Sequence, residues 1–415
     1  MMKMSRHAVR LNKLGRWSCY LLAALLAQSS LWGQLAVHGK TVFTMDGPPV
    51  KDGVVLVRDG KIAAVGPATL PVPDGFRVIA AEVVTPGLVD AHSTVGISGF
   101  LNYQHDREEL ERSAPVQPEL RALDAYNPLD PLVEWVRSFG VTTLHTGHAP
   151  GELIAGQTMI VKTSGTTVND AVLVKTAAVA STLGSDARKS DTKVPGTRGK
   201  MMAVLRADFI RAREYLAKNQ SDDPEKKPPR DLSLETLGRV LEKDLPFLVT
   251  AQRAQDIATA LRLQQEFDLR LILDGAAESY LMTDRIKAAG VPVILHPTMA
   301  RPFEDLENLS FETAARLKRA GIPVALQAGY ESYVPKTRVV LFEAAIAAAN
   351  GLTFEEALAT ITIDAARILG VDQRVGSLTV GKDGDLALYD GDPFEYTSHC
   401  VATIIAGEIV HEGSR

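Results

Sequence analysis

Cysteine is scarce in this sequence, which has only Cys19 and Cys400 among its 415 residues. Cys19 lies in an N-terminal segment with the composition of a removable leader, so a mature chain would keep one cysteine and could form no internal disulfide. A disulfide-stabilised fold is therefore excluded, and stability has to come from a buried core. A hydrophobic content of 46% with 23% charged residues is sufficient for such a core.

An excess of positive charge is also lacking. The chain has 45 basic and 50 acidic residues, a formal net charge of -5, and no basic stripe. Nucleic acid is therefore excluded as an expected partner. The length allows one large domain or two or three ordinary ones.

The apolar run near the N-terminus, "CYLLAALLA" at Cys19–Ala27, is too short for a comfortable membrane span. Five basic residues and no acid precede it: Lys3, Arg6, Arg10, Lys13 and Arg16. This pattern predicts a signal peptide over residues 1–33 and export to the periplasm or the outside of the cell. The alternative is an uncleaved amphipathic anchor. No stable membrane span is expected.

The two ends of the chain share the texture of short strands joined by turns. Residues 34–83 include two Val- and Ile-rich runs around the hairpin signal Arg58-Asp59-Gly60-Lys61, and residues 376–415 return to the same pattern. We predict one small composite β-sandwich domain built from both termini.

Residues 84–375 alternate apolar runs with helical patterns. Near-continuous apolar strands separated by helices favour a parallel sheet covered by helices. The number of such units favours an α/β fold of the (β/α)8 TIM-like barrel type over an open sheet. In a barrel, chemistry is expected at the carboxyl ends of the strands.

Histidines follow several of the predicted strands. The stretch "TPGLVDAHST" at residues 85–94 places Asp90 and His92 at a strand end, where a metal ligand would be expected. We take four histidines as candidate metal ligands: His92, His145, His148 and His296. Four carboxylates are candidates to orient these rings or to act as a base: Asp90, Asp274, Glu278 and Glu331. The alternative is that each histidine only makes local hydrogen bonds, in which case no metal is bound.

Three stretches together resemble the amidohydrolase superfamily, and within it the imidazolonepropionase-like branch. They are "VRDGKIAAVGP" followed by "VVTPGLVDAH", then "GVTT" at residues 140–143, and the tail "ATITIDAARILGVDQRVGSLTVGKDGDLALYDGDPF". The resemblance spans nearly all of the chain beyond the leader. It implies a metal-dependent barrel that acts on carbon–nitrogen bonds other than peptide bonds.

The resemblance also implies a set of metal ligands, which this sequence mostly lacks. His92 matches the first strand-1 histidine, whereas the second falls on Thr94. The strand-5 positions hold Thr250 and Gln252, the strand-6 positions hold Asp274 and Gly275, and the strand-8 aspartate falls on Gly329. A catalytic zinc needs three protein ligands, and its water needs a base. The standard mechanism is therefore not expected, and catalytic residues cannot be assigned.

Two hypotheses follow, and the sequence leaves open whether the protein is an enzyme. In the first, a degenerate metal site leaves a pocket that binds a small molecule, and the protein acts as a binding module or pairs with an active relative. In the second, one divalent metal, zinc by preference, is held by rebuilt histidine ligands, and the protein hydrolyses cyclic amides. A homo-oligomer is compatible with both.

Overall fold

The computed structural model describes residues 34–101, 103–189, 194–298, 302–330 and 339–413. The strands in these ranges are β1 (Leu35–Val42), β2 (Val50–Arg58), β3 (Lys61–Pro67), β4 (Arg77–Pro86), β5 (Leu88–Ser93), β6 (Val141–Thr146), β7 (Gly156–Gln157), β8 (Met159–Lys162), β9 (Val172–Val174), β10 (Val179–Thr182), β11 (Phe247–Thr250), β12 (Leu271–Gly275), β13 (Val293–Leu295), β14 (Val324–Leu326), β15 (Leu386–Tyr389), β16 (Cys400–Ile405) and β17 (Glu408–Glu412). The predicted leader, residues 1–33, lies outside the described residues.

The helices in the same ranges are α1 (Ala122–Ala125), α2 (Pro131–Arg137), α3 (Val168–Ala171), α4 (Arg198–Asn219), α5 (Leu232–Leu241), α6 (Ala254–Phe267), α7 (Thr283–Ala289), α8 (Thr313–Arg319), α9 (Val340–Ala349), α10 (Phe354–Thr360) and α11 (Ile363–Leu369). Within the described part of the chain, no helix is both long and apolar enough to cross a membrane.

Strands from both ends of the chain form one seven-stranded sheet, in the order β17-β16-β15-β4-β1-β2-β3. The central contact is the antiparallel pairing of β15 with β4, in which Leu388 lies opposite Val84. The predicted hairpin is present: β2 ends at Arg58, β3 begins at Lys61, and the two turn residues between them have positive φ. The sheet thus joins the two termini, while its closure into a sandwich stays a prediction.

Two further sheets lie between these ends. One has the order β14-β13-β12-β11-β10-β7, and the other has the order β5-β6-β8-β9. Strands β10 to β14 are parallel to one another, as are β5 and β6. A parallel bridge between Ser93 and Gly329 connects β5 with the segment after β14. The result is a mixed α/β fold.

The expectation of an all-parallel middle region is wrong at β7 and β8. Strand β8 runs antiparallel to β6, and β7 runs antiparallel to β10. The physical reason is the connection: a parallel pair needs a crossover of a dozen or more residues, usually a helix, whereas β6 is followed by a short loop with no helix.

The core reflects the alternation of side chains along the strands. One buried cluster takes side chains from successive strands: Val89, Ala91, Ile160, Leu248, Ile272, Ile294 and Ala325. Their neighbours in sequence point the other way and pack under the helices, for example Val249 and Leu273 in the largest cluster. Strands β5, β11, β12, β13 and β14 are therefore buried on both faces, and their functional side chains can be offered only at their ends.

Candidate functional site

A cavity of about 550 Å³ lies over the carboxyl ends of the strands. The residues that match family ligand positions all line it: His92, Thr94, Thr250, Gln252, Asp274, Gly275 and Gly329. His296 also lines the cavity, whereas His145 and His148 do not. The structure therefore brings together two of the four candidate histidines in one cavity and leaves the other two outside its lining.

Asp274, the last but one residue of β12, is the centre of a buried hydrogen-bond cluster. Its Oδ1 accepts from Nδ1–H of His92 at 2.9 Å and from Nε2–H of Gln327 at 2.7 Å. Its Oδ2 accepts from the Thr250 hydroxyl at 2.6 Å. We call these four residues the Asp274 hub. They come from the ends of β5, β11 and β12 and from the residue after β14.

The pKa values within the hub follow from burial and charge. Burial by itself would raise the pKa of Asp274, but the charge of His92 and the three hydrogen bonds lower it below its usual value. Burial would lower the pKa of His92, but the charge of Asp274, the hydrogen bond to it and the charge of Asp90 together outweigh burial and raise that pKa. The two shifts have opposite directions, which favours an ion pair. The Nε2 of His92 has no hydrogen-bond partner.

His145, in β6, has both ring nitrogens engaged. Nδ1 lies 2.6 Å from the carbonyl oxygen of Ala91, and Nε2 lies 2.7 Å from the Thr158 hydroxyl. Burial and the nearby charge of His92 lower the pKa of His145 to about 3, so the ring is neutral. A neutral imidazole that donates at Nδ1 and accepts at Nε2 has no lone pair left for an ion.

His148 and His296 are buried in separate surroundings. The ring of His148 packs against Gly156, and burial lowers its pKa to about 4. His296, directly after β13, has Nδ1 3.3 Å from the carbonyl oxygen of Gln327. Its ring lies over Gly329: a Cβ built on that glycine would be 2.6 Å from Nε2 of His296.

Comparison with known proteins identifies the family to which the chain belongs. A model described as "Amidohydrolase family" matches residues 203–411, just over half of the chain. This chain belongs to the amidohydrolase family. The predicted superfamily, with its imidazolonepropionase-like branch, is thereby confirmed.

Individual relatives agree with that assignment. The chain is 26% identical over 400 residues to an imidazolonepropionase of Stenotrophomonas maltophilia, covering 88% of this chain and 91% of that protein. It is 27% identical to an amidohydrolase of Hapsidospora irregularis, of which it spans 38% of the length. A solved amidohydrolase from Thermotoga maritima shares 29% identity and a TM-score of 0.86, covering 92% of this chain and all of that one.

The described residues of the chain do not fit the metal ion that its family implies. Among them, no group of three or more His, Cys, Asp or Glu side chains is placed to hold an ion. His92 offers one nitrogen, whereas Thr250 and Gln327 each direct a hydrogen at Asp274 and keep only neutral oxygens, which are weak ligands for zinc. The four-histidine site stays a prediction that this geometry does not support.

The candidate carboxylates have different surroundings from one another. Asp274 orients His92, whereas Asp90 accepts from the backbone N–H of Ala328 at 3.0 Å. Burial raises the pKa of Asp90 to about 7. Glu278 accepts from the backbone N–H of Ala254 at the start of α6, so it serves a helix and not the histidines. Glu331 lies outside the described residues.

Sequence reasoning missed Gln327, the third donor to Asp274. Its signal was present, because Gln327 and Gly329 are two residues apart at a strand end and side chains alternate along a strand. Three further lining residues, Arg107, Arg112 and Tyr330, were also not singled out. Their loops give no periodic pattern from which a position could be inferred. Gly151, in the loop after β6, also lines the cavity.

Proposed function

We propose that this amidohydrolase-family protein binds a small molecule in the cavity at its strand ends and does not carry out the family's metal-dependent hydrolysis. The observation that supports the proposal is the chemistry of the family ligand positions. Apart from His92, they hold neutral hydroxyl or amide side chains, one carboxylate, or glycine. The carboxylate, Asp274, already accepts hydrogen bonds from His92 and Thr250. A volume of about 550 Å³ is ample for a metabolite-sized ligand.

We also propose that the strands form the distorted (β/α)8 barrel predicted from the sequence. The pairings that support it run from β5 through β6 and β8, then from β7 through β10 to β14, and the Ser93–Gly329 bridge leads back to β5. The interior cluster with side chains from successive strands is the packing expected of such a barrel. Barrel packing of this kind does not depend on a metal.

A second candidate function is supported by one observation. The Nε2 of His92 has no partner, while a carboxylate holds its Nδ1, which is the arrangement that orients a metal-binding histidine. A rebuilt metal site centred on His92 would make the protein an active cyclic amidohydrolase. Its further ligands would have to be recruited from the other predicted histidines, such as His148.

Metal content separates the two candidates. The purified protein is incubated with zinc, manganese or iron, desalted, and measured by elemental analysis beside its His92→Ala and His148→Ala variants. The binding proposal predicts less than about 0.1 ion per chain in all three proteins. About one ion per chain in the wild type, lost in both variants and accompanied by hydrolysis of a lactam or imide, would establish the second candidate instead.

A further inference from the structure

We infer that the carboxylate of Asp274 replaces the family's metal ion as the centre that holds the strand ends together around the cavity. The inference rests on the proposed metal-free cavity and adds what organises it. A metal ion gathers electron-pair donors from several strands onto one positive centre. The Asp274 hub has the opposite polarity, since proton donors from several strands converge on one negative centre.

The hub connects strands that are distant in the chain. The Asp274–His92 contact joins residues 182 positions apart, and the Asp274–Gln327 contact joins residues 53 apart. A backbone hydrogen bond also joins β11 to β12 at the hub, because Ala251 N–H donates to the carbonyl oxygen of Asp274 at 3.1 Å. Asp90 extends it by accepting from the backbone N–H groups of Ala328 and His92. The ends of β5, β11, β12 and β14 are thus bonded to two carboxylates.

Because the hub is buried, loss of its hydrogen bonds would cost stability. Asp274 is only 2% exposed, and His92, Thr250 and Gln327 are all buried around it. A buried carboxylate without donors would be strongly unfavourable, whereas one that receives three hydrogen bonds, one of them from its ion-pair partner His92, is satisfied. Removing its charge should therefore leave donors without an acceptor and loosen the cavity floor.

At two positions beside the hub, the space that a side chain would occupy is already filled. A Cβ on Gly329 would be 2.6 Å from the His296 ring, and a Cβ on Gly275 would be 2.5 Å from Nε2 of Gln252. Both glycines have positive φ, which other residues adopt rarely. A family-type side chain at 275 or 329 would have to displace its neighbour. These two family ligand positions are therefore closed to a side chain, while the hub residues still line the open cavity.

The experiment compares thermal unfolding of the wild type with Asp274→Asn and Thr250→Val, each with chelator and with added zinc. Asp274→Asn puts an amide NH2 where donors converge, so the midpoint should fall by about 4 °C or more, and Thr250→Val should lower it by less. Asp208→Asn is the matched control: Asp208 is a buried carboxylate on α4 that pairs with Arg211 away from the cavity. Chelator and zinc should leave the wild-type midpoint unchanged.

A spectroscopic measurement tests the hub more directly than stability does. With 15N-histidine labelling, the His92 Nδ1–H should give a low-field proton signal that persists in chelator and disappears in Asp274→Asn and His92→Ala. Asp208→Asn should keep that signal. Loss of the wild-type signal in chelator would overturn the inference, as would wild-type stability in Asp274→Asn with the signal retained.

These outcomes also separate the inference from the proposed function. If Asp274→Asn is as stable as the wild type while no metal is bound, the hub is wrong and the metal-free pocket stands. If the wild type holds one ion per chain and chelator lowers its midpoint, the metal-free pocket is wrong.

Discussion

At the scale of single residues, Gly329 shows how local geometry excludes a catalytic group. The family's strand-8 aspartate would fall here, yet the backbone has φ of +68° and the His296 ring occupies the space of a side chain. We predict that Gly329→Asp lowers the free energy of unfolding by roughly 2–4 kcal/mol, from the left-handed backbone and the clash together. Chemical denaturation measures the change.

The matched control for this prediction is the double variant Gly329→Asp with His296→Ala. Removing the ring should recover part of the loss, so the two substitutions should not be additive. Full additivity would mean that the His296 ring does not occupy the space of a side chain at residue 329. It would contradict the explanation for the glycine at this position.

The buried thiol of Cys400 permits a second prediction at this scale. Cys400 is 8% exposed, and burial raises its pKa to about 11. Only about one thiol in a thousand would be ionised at pH 8, and the thiolate is the reactive form. Iodoacetamide should therefore leave the Cys400 peptide unmodified in the native protein and alkylate it in denaturant, as followed by mass spectrometry. Rapid native alkylation would contradict the burial.

At the scale of elements, Asp383 joins parts of the chain that are distant in sequence. It lies before β15 and is 5% exposed, with Lys61 of β3 at 2.6 Å, Arg374 at 2.8 Å and Lys162 of β8 at 3.2 Å. Burial would raise its pKa, but these three cations lower it from 3.8 to about 2. The carboxylate therefore stabilises the folded state in its ionised form.

The pH dependence of stability tests this role. Because the folded-state pKa lies below the unfolded value, the contribution is fully present above about pH 4 and is lost as pH falls through 2. We predict that Asp383→Asn costs about 2 kcal/mol at pH 7 and that the difference from the wild type shrinks between pH 4 and pH 2. A difference that is constant with pH would show that packing, and not charge, explains the loss.

Elements also show which features the sequence could predict. The Arg58–Lys61 hairpin was predictable because a turn is a local matter, and both central residues, Asp59 and Gly60, have the positive φ that such turns require. Likewise, three positions that the family resemblance implied as ligand positions, Thr250, Asp274 and Gly329, all line one cavity.

The antiparallel direction of β8 was not predictable in this way. Nor was the position of His145, whose ring lies outside the cavity lining. Both depend on which strand lies alongside, and the Thr158 hydroxyl that occupies His145 comes from the segment between β7 and β8. A histidine at a strand end looks the same in sequence whether its ring faces a cavity or a neighbouring hydroxyl. Partner choice between distant segments is a property of the folded chain.

At the scale of the whole molecule, the two chain termini are one structural unit. Strand β15 lies between β4 and β16, so the C-terminal strands complete a sheet that the N-terminal strands begin. Thr403 of β16 also donates to the carbonyl oxygen of Arg137 in α2, and Ile404 is fully buried. The C-terminal strands therefore pack against the middle of the chain as well as against its beginning.

This arrangement predicts that a short C-terminal deletion affects the entire protein. A chain ending at Ser398 loses β16 and β17 and exposes the apolar face of β15, at a cost on the order of 5 kcal/mol, comparable to the whole stability of a typical domain. We expect loss of cooperative thermal unfolding by circular dichroism, whereas a chain ending at Gly413, which keeps both strands, should unfold like the full chain. If the shorter chain unfolded at the wild-type midpoint, β16 and β17 would be an appendage, and the far ends of the chain would not depend on each other for folding.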